Sequence, residues 1–87
     1  MEKKSDIVVY YCVGVRETLR AAEDGSLSGI VLAKDTDRAF RARVEEAAHK
    51  YGAPLVYANS ALELGRRVGI EVKAGVVGIL KKDIISP

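Results

Sequence analysis

Four short stretches of the chain are apolar on consecutive residues, without the alternation that marks a strand with one solvated face. They cover residues 7–13, 30–33, 55–58 and 74–80, and the first three lead into segments with helical apolar spacing. A strand that is apolar on both faces must be covered on both faces, usually by helices. The sequence therefore predicts an α/β fold, a three-layer α/β/α sandwich around a central, mostly four-stranded mixed sheet, whose first strand is buried on both sides.

The first predicted helix covers about residues 15–24 and ends at Gly25. Apolar residues at spacing i, i+4 and i+7 predict a buried stripe, which consists of Val15, Leu19 and Ala22. Residues 26–29 are then predicted to form a loop before the second strand.

The second predicted helix follows a polar turn. Asp35 or Thr36 is expected to cap this helix, and Asp37 suits its first turn because a carboxylate there favours the helix dipole. An apolar stripe begins at Phe40, and Gly52 is the predicted end.

The third predicted helix is capped by Asn59 or Ser60 and ends near Gly69. Its inner stripe is expected to consist of Ala61, Leu64, Gly65 and Val68. Glycines at positions 75 and 78 of the last strand leave room for the close approach of a helix.

Composition limits the classes of protein to which the chain can belong. The 87 residues suffice for one modest core, so we expect a single domain over residues 1–87. The net charge of +2 permits an RNA partner without requiring one. Cys12 is the only cysteine, which excludes an internal disulfide. No apolar run is long enough to span a membrane and the N-terminus lacks a signal-peptide pattern, so we expect a cytoplasmic protein without a membrane partner.

The segment Gly14-Val15-Arg16-Glu17-Thr18-Leu19-Arg20 carries the clearest candidate chemistry. Arg16 and Arg20 are four residues apart and share a helix face, and Glu17 stands beside them. The first turn of a helix also presents backbone N–H groups that favour negative charge. This combination suits phosphate together with a guanine edge, although an ordinary solvated helix face is the more frequent explanation of such residues taken alone.

The other candidate groups do not form a catalytic constellation. Asp35 and Asp37 resemble a Mg²⁺ pair, but the helix that follows favours capping. His49 is the only histidine, and Cys12 lies within an apolar strand, where thiols are usually inert. The turn at Gly14 lacks the pattern of a phosphate-binding loop. We therefore expect neither an enzyme nor a metal site nor a cofactor.

Two branched apolar residues, Ile70 and Val72, lie in a segment interrupted by charge at Glu71 and Lys73. They either tuck under the loop into the core or form an exposed apolar platform against a nucleic-acid base. The sequence pattern does not decide between these two arrangements.

Three segments together resemble the ribosomal protein L7Ae/L30e family of kink-turn RNA-binding proteins, in particular its small bacterial branch. The segments are residues 14–20, Gly29-Ile30-Val31-Leu32-Ala33-Lys34-Asp35 and Leu64-Gly65-Arg66-Arg67-Val68-Gly69-Ile70-Glu71-Val72. The resemblance covers about residues 7–81. It implies an α/β/α sandwich that binds a kink-turn, a sharply bent RNA helix with tandem sheared G·A pairs and a flipped-out nucleotide.

The resemblance also implies the residues that contact RNA. Gly14 would bring the backbone close to RNA, Arg16 and Arg20 would contact guanine or phosphate, and Glu17 would accept from guanine. The loop after the second strand and the loop that packs on the extruded base complete the surface. The implied site consists of Gly14, Val15, Arg16, Glu17, Arg20, Lys34, Asp35, Ile70, Glu71 and Val72.

The predicted function is thus non-enzymatic recognition of a kink-turn or related kinked RNA motif, in ribosomal RNA or in an mRNA leader, by a ribosome-associated monomer or a component of another ribonucleoprotein. The alternative is a protein–protein or assembly module that keeps the same fold without binding RNA, because a fold can retain its shape while its site changes.

Overall fold

The computed structural model describes residues 10–81, over which strands and helices alternate. The elements are β1 (Tyr11–Val13), α1 (Val15–Glu23), β2 (Leu27–Ala33), α2 (Arg38–Tyr51), β3 (Leu55–Ala58), α3 (Ala61–Arg67) and β4 (Val76–Leu80). Residues 7–9 of the first predicted strand lie outside the described residues.

The four strands form one mixed sheet in the order β1-β4-β2-β3. The last strand, β4, runs antiparallel to both of its neighbours, and β2 pairs in parallel with β3. Strand β4 therefore lies in the interior of the sheet, although it comes last in the sequence.

Two apolar clusters show how the helices cover the sheet. The first cluster joins Ala22 of α1 and Val44 of α2 to Ile30 and Leu32 of β2. The second joins Leu64 of α3 to the residues of the opposite sheet face, including Ala33 and Val77. Helices α1 and α2 thus cover one face and α3 covers the other, which confirms the predicted three-layer sandwich.

The first strand is not buried on both sides as predicted. Tyr11 and Val13 are exposed, with 42% and 39% of their surface accessible, and Cys12 alone packs against the first cluster. The strand order explains this error, since β1 is an edge strand that α1 covers on one face only. The other edge strand, β3, likewise exposes Val56 and Tyr57.

The second strand begins earlier than predicted, and the expected loop over residues 26–29 is wrong. Leu27 pairs with Leu80 and Gly29 pairs with Ile79, with a register shift between the two pairs. Leu27 is buried in the first cluster, so burial outweighs the weak strand propensity of Ser28 and Gly29.

All three helices end in the same hydrogen-bond motif, at the predicted glycines. Gly25, Gly52 and Gly69 have φ between 68° and 81°, the left-handed conformation that glycine adopts without strain. At each end the N–H groups of the glycine and of the next residue donate back to carbonyls of the last turn, as from Gly69 to Arg66 and from Ile70 to Gly65. This Schellman motif places the residue after the glycine against the helix.

The starts of α2 and α3 correct one prediction and confirm another. The N-cap of α2 is Asp37, whose Oδ2 accepts from the backbone N–H groups of Ala39 and Phe40, so neither Asp35 nor Thr36 caps it. Ser60 caps α3 as predicted, accepting from the N–H of Glu63 at 3.0 Å.

The buried stripe of α1 differs from the predicted one, because its fully buried residues are Thr18, Ala21 and Ala22, whereas Val15 and Leu19 are half-buried. Gly78 of β4 explains the burial of Thr18. A Cβ added to Gly78 would lie 3.3 Å from the Thr18 methyl carbon, so glycine lets the small threonine side chain pack directly on the sheet.

Within residues 10–81, no helix has the length and apolar character needed to cross a membrane.

Candidate nucleic-acid interface

Four chain segments meet at one edge of the sheet. Strands β1, β2 and β3 end there at Val13, Ala33 and Ala58, and the antiparallel β4 begins there at Val76. We call this the carboxyl edge. The start of α1, the loop after β2, the start of α3 and the loop before β4 all extend from it.

Backbone hydrogen bonds hold these segments together. The Gly14 N–H donates to the Val76 carbonyl at 3.0 Å, and the Ala33 N–H donates to the Gly75 carbonyl at 2.9 Å. The Ala74 N–H donates to the Ala61 carbonyl at 3.0 Å, which joins the loop before β4 to the start of α3. The carboxyl edge is therefore a connected surface built from distant parts of the sequence.

The start of α1 presents both charge and backbone donors. Gly14 is the N-cap, with φ 103°, and no side chain caps the first turn. Arg16 and Glu17 in that turn are exposed. The helix start therefore offers N–H groups and the positive end of its dipole beside one cation and one carboxylate. The side chain of Val15 is half-buried and packs against the first cluster.

The two arginines of α1 share a face that is turned toward α2. Arg16 and Arg20 both line an open groove between the two helices, together with Arg43 of α2. Glu17 is not among the groove-lining residues. Arg20 stands one turn farther than Arg16 from the carboxyl edge, about 6 Å along the helix axis.

The loop after β2 is fixed from both sides. The Asp35 carboxylate accepts from the backbone N–H of Ala61 at 2.8 Å, so this predicted site residue tethers the loop to the first residue of α3. The guanidinium of Arg41 donates to the carbonyls of Lys34 and Thr36. This role of Arg41 was not predicted, although a basic residue one turn after a helix cap lies within reach of the preceding loop carbonyls. Lys34 is exposed.

The loop before β4 divides its two apolar residues between the core and the surface. Ile70 is half-buried and packs against the second cluster, the apolar contact that often accompanies a Schellman motif. Val72 is 66% exposed, the largest exposure among the large apolar residues described. Ile70 therefore takes the core arrangement, Val72 is exposed, and a contact between Val72 and a base stays a prediction.

Gly65 of α3 holds this loop close to the helix. A Cβ added there would lie 2.1 Å from the carbonyl oxygen of Val72, a distance that no real contact allows. The backbone of the loop thus lies directly on the helix at a position that only glycine permits.

The structure brings most of the predicted site residues to one edge. Gly14, Lys34 and Asp35 lie at the carboxyl edge, where residues 70–72 form part of the adjoining loop. Within residues 10–81, no three His, Cys, Asp or Glu side chains are grouped as metal ligands would be. Cationic side chains, helix N–H groups and an exposed apolar side chain suit the binding of a structured polyanion.

Comparisons with known proteins agree with this geometry. An RNA-binding protein of Bacillus pumilus is 37% identical over 68 residues, which are 78% of this chain and 83% of that protein. An RNA-binding protein of Halalkalibacterium halodurans is 33% identical over 79% of this chain and 84% of its own length. The solved structure of a Giardia lamblia 15.5 kDa RNA-binding protein matches with a TM-score of 0.77 at 26% identity.

That structural match covers 86% of this chain and 63% of the Giardia protein. A Bacillus halodurans protein of unknown function matches with a TM-score of 0.76 over 84% of this chain and 73% of its own, at 18% identity, which supports the fold alone. The sequence matches a family across residues 2–85. The chain belongs to the ribosomal protein L7Ae/L30e/S12e/Gadd45 family.

Proposed function

We propose that this chain is a non-enzymatic RNA-binding protein that recognises a kink-turn or a related kinked RNA motif at its carboxyl edge. Membership of the family and the RNA-binding names of its bacterial relatives support an RNA partner. The assignment to a kink-turn is what the family resemblance implies, and the exposed charged residues and helix N–H groups of the carboxyl edge support it. The proposed RNA is structured, either ribosomal or within an mRNA leader, and the protein binds it as a single cytoplasmic domain.

The start of α1 is the proposed contact for the guanines of the sheared pairs. A kinked RNA exposes base edges that a regular A-form helix hides in its deep, narrow groove. Arg16 presents donors to guanine acceptors, and Glu17 accepts from guanine N–H groups. The N–H groups of the first turn suit a nearby phosphate, and Gly14 lets the backbone approach closely.

One observation carries the proposal: in a loop joined to the carboxyl edge, Ile70 packs against the core whereas Val72 is exposed. Ile70 packs against the second cluster, and Val72 in the same loop presents an exposed apolar surface. An extruded base loses its stacking partners, and an apolar side chain restores part of that contact. Binding then selects the kinked RNA from a flexible ensemble and requires no chemical step.

Replacing Val72 by alanine should weaken kink-turn binding about fourfold to fifteenfold, since the change removes two methyl-sized groups that are worth up to about 0.8 kcal/mol each. Because no phosphate contact is lost, the salt dependence of binding should stay the same. Fluorescence anisotropy with a labelled kink-turn RNA at several salt concentrations measures both quantities.

Val56→Ala is the matched control, because Val56 is 57% exposed on the edge strand β3 and is not a predicted contact residue. We expect this control to bind RNA like the unaltered protein. Equal losses of affinity in the two variants, or none in Val72→Ala, would show that the loop does not cover a base.

A further inference from the structure

Helices α1 and α2 lie side by side on one face of the sheet, and an open groove of about 730 Å³ separates them. Each helix contributes one stripe of charged side chains. The charged residues that line the groove are Arg16, Arg20 and Glu23 from α1 and Arg43, Glu46 and Lys50 from α2.

The spacing of these residues makes the stripes continuous. Those of α1 follow i, i+4 and i+7, and those of α2 follow i, i+3 and i+7, so each set lies along one helix face. The half-buried Leu19 and Ala47 supply apolar lining between the stripes.

The groove is positively charged. Four cations and two carboxylates line it, which gives a local charge of +2, equal to the formal net charge of the whole chain. Within residues 10–81, the ion pair that the structure forms joins Glu63 and Arg67 on α3, on the other face of the sheet. No groove cation forms an ion pair with another residue of the range 10–81.

We propose that this groove is a second RNA contact, a track for the phosphodiester backbone of the helical arm that leaves the kink. The proposal rests on the proposed function, since Arg16 belongs both to the start of α1 at the carboxyl edge and to the groove. From Arg43 to Lys50 the track extends about 10 Å along α2.

Phosphate is the group that this lining recognises. Its polar side chains are cations flanked by two carboxylates, which can position a backbone without distinguishing bases. At the end of the groove, Lys50 forms a cation–π contact with Tyr51, with its Nζ 5.3 Å from the ring centroid. The groove therefore adds affinity and orientation, whereas the carboxyl edge selects the motif.

The double variant Arg43→Ala/Lys50→Ala tests this track with kink-turn RNAs that carry either a minimal arm or an arm extended by one helical turn. The unaltered protein should bind the extended RNA roughly tenfold tighter, and the variant should lose that gain. The slope of log affinity against log salt should fall by about 2 on the extended RNA, one for each lost phosphate contact. On the minimal RNA the two proteins should bind alike.

Arg67→Ala/Lys81→Ala is the control, since it removes the same charge from outside the groove. The proposed track is contradicted if this control loses as much affinity as the groove variant, or if arm length does not change the affinity of the unaltered protein.

Binding of RNAs with both arm lengths is also measured after removal of the sheared G·A pairs. Equal binding with and without those pairs rejects kink-turn recognition, and an arm-length effect that depends on Arg43 and Lys50 still supports the track. If the protein binds none of the four RNAs, both kink-turn recognition and the phosphate track are rejected.

Discussion

Replacing Gly65 by alanine should lower the free energy of unfolding by about 1–3 kcal/mol or more, the usual cost of forcing extra atoms into a packed site. The added Cβ would lie 2.1 Å from the carbonyl oxygen of Val72 and 3.2 Å from its carbon, so backbone must move. In a helix without this neighbour, the same change would stabilise by about 1 kcal/mol. A net loss of stability therefore isolates the contact between α3 and the loop.

The same variant should also bind kink-turn RNA more weakly than its remaining folded fraction accounts for. The clash displaces the loop that carries Val72, and this displacement acts at the carboxyl edge even where the chain stays folded. Urea denaturation measures stability, and a gel shift under conditions where the variant is folded measures binding.

Gly29→Ala is the matched control for Gly65→Ala. Gly29 is also buried, but a Cβ there would meet only the Pro54 carbonyl oxygen, at an ordinary 3.7 Å. We expect this control to retain both stability and RNA binding. If Gly65→Ala proves as stable as the unaltered protein, the loop does not lie on α3 as the structure describes.

Arg16→Ala and Glu17→Ala should each weaken RNA binding by about 1–3 kcal/mol, roughly 5-fold to 150-fold, which is the range for a good contact with a base edge. Both side chains are exposed, so thermal unfolding should change little. Arg67→Ala, an exposed cation on α3, serves as the control. Variants that unfold, but whose folded fraction binds RNA normally, would assign these residues a structural role.

Local signals in the sequence predicted the helix ends well. Gly25, Gly52 and Gly69 end the helices because the left-handed conformation after a last turn is costly for other residues. The cap at Ser60 followed from equally local chemistry. Such features depend on a few adjacent residues, which is why a single sequence contains them.

Features that depend on strand order were not predictable in the same way. Periodicity indicates that a strand is apolar but not which strands lie at the edges, so the burial of Tyr11 and Val13 was overestimated. Asp35 and Asp37 both suit a helix cap, and only the tertiary contact between Asp35 and Ala61 assigns them different roles.

In the candidate site, too, local features were predictable from the sequence and features that depend on tertiary contacts were not. The resemblance marked the loop over residues 70–72, but the burial of Ile70 and the exposure of Val72 follow from the helix end and from the second cluster. The role of Arg41 had one local signal, its position one turn after a helix cap, whereas the groove between α1 and α2 depends on how two separate helices pack. The residue roles in RNA binding remain predictions.

The most direct test of the central claim is a gel shift with a standard kink-turn RNA and with a variant of it that lacks the sheared G·A pairs. The proposed recognition of exposed guanine edges predicts clear binding of the first RNA at modest salt and much weaker binding of the second. Failure to bind either RNA would contradict the proposal and favour an assembly module on the same fold. Equal binding of both would show that the carboxyl edge does not recognise the kink.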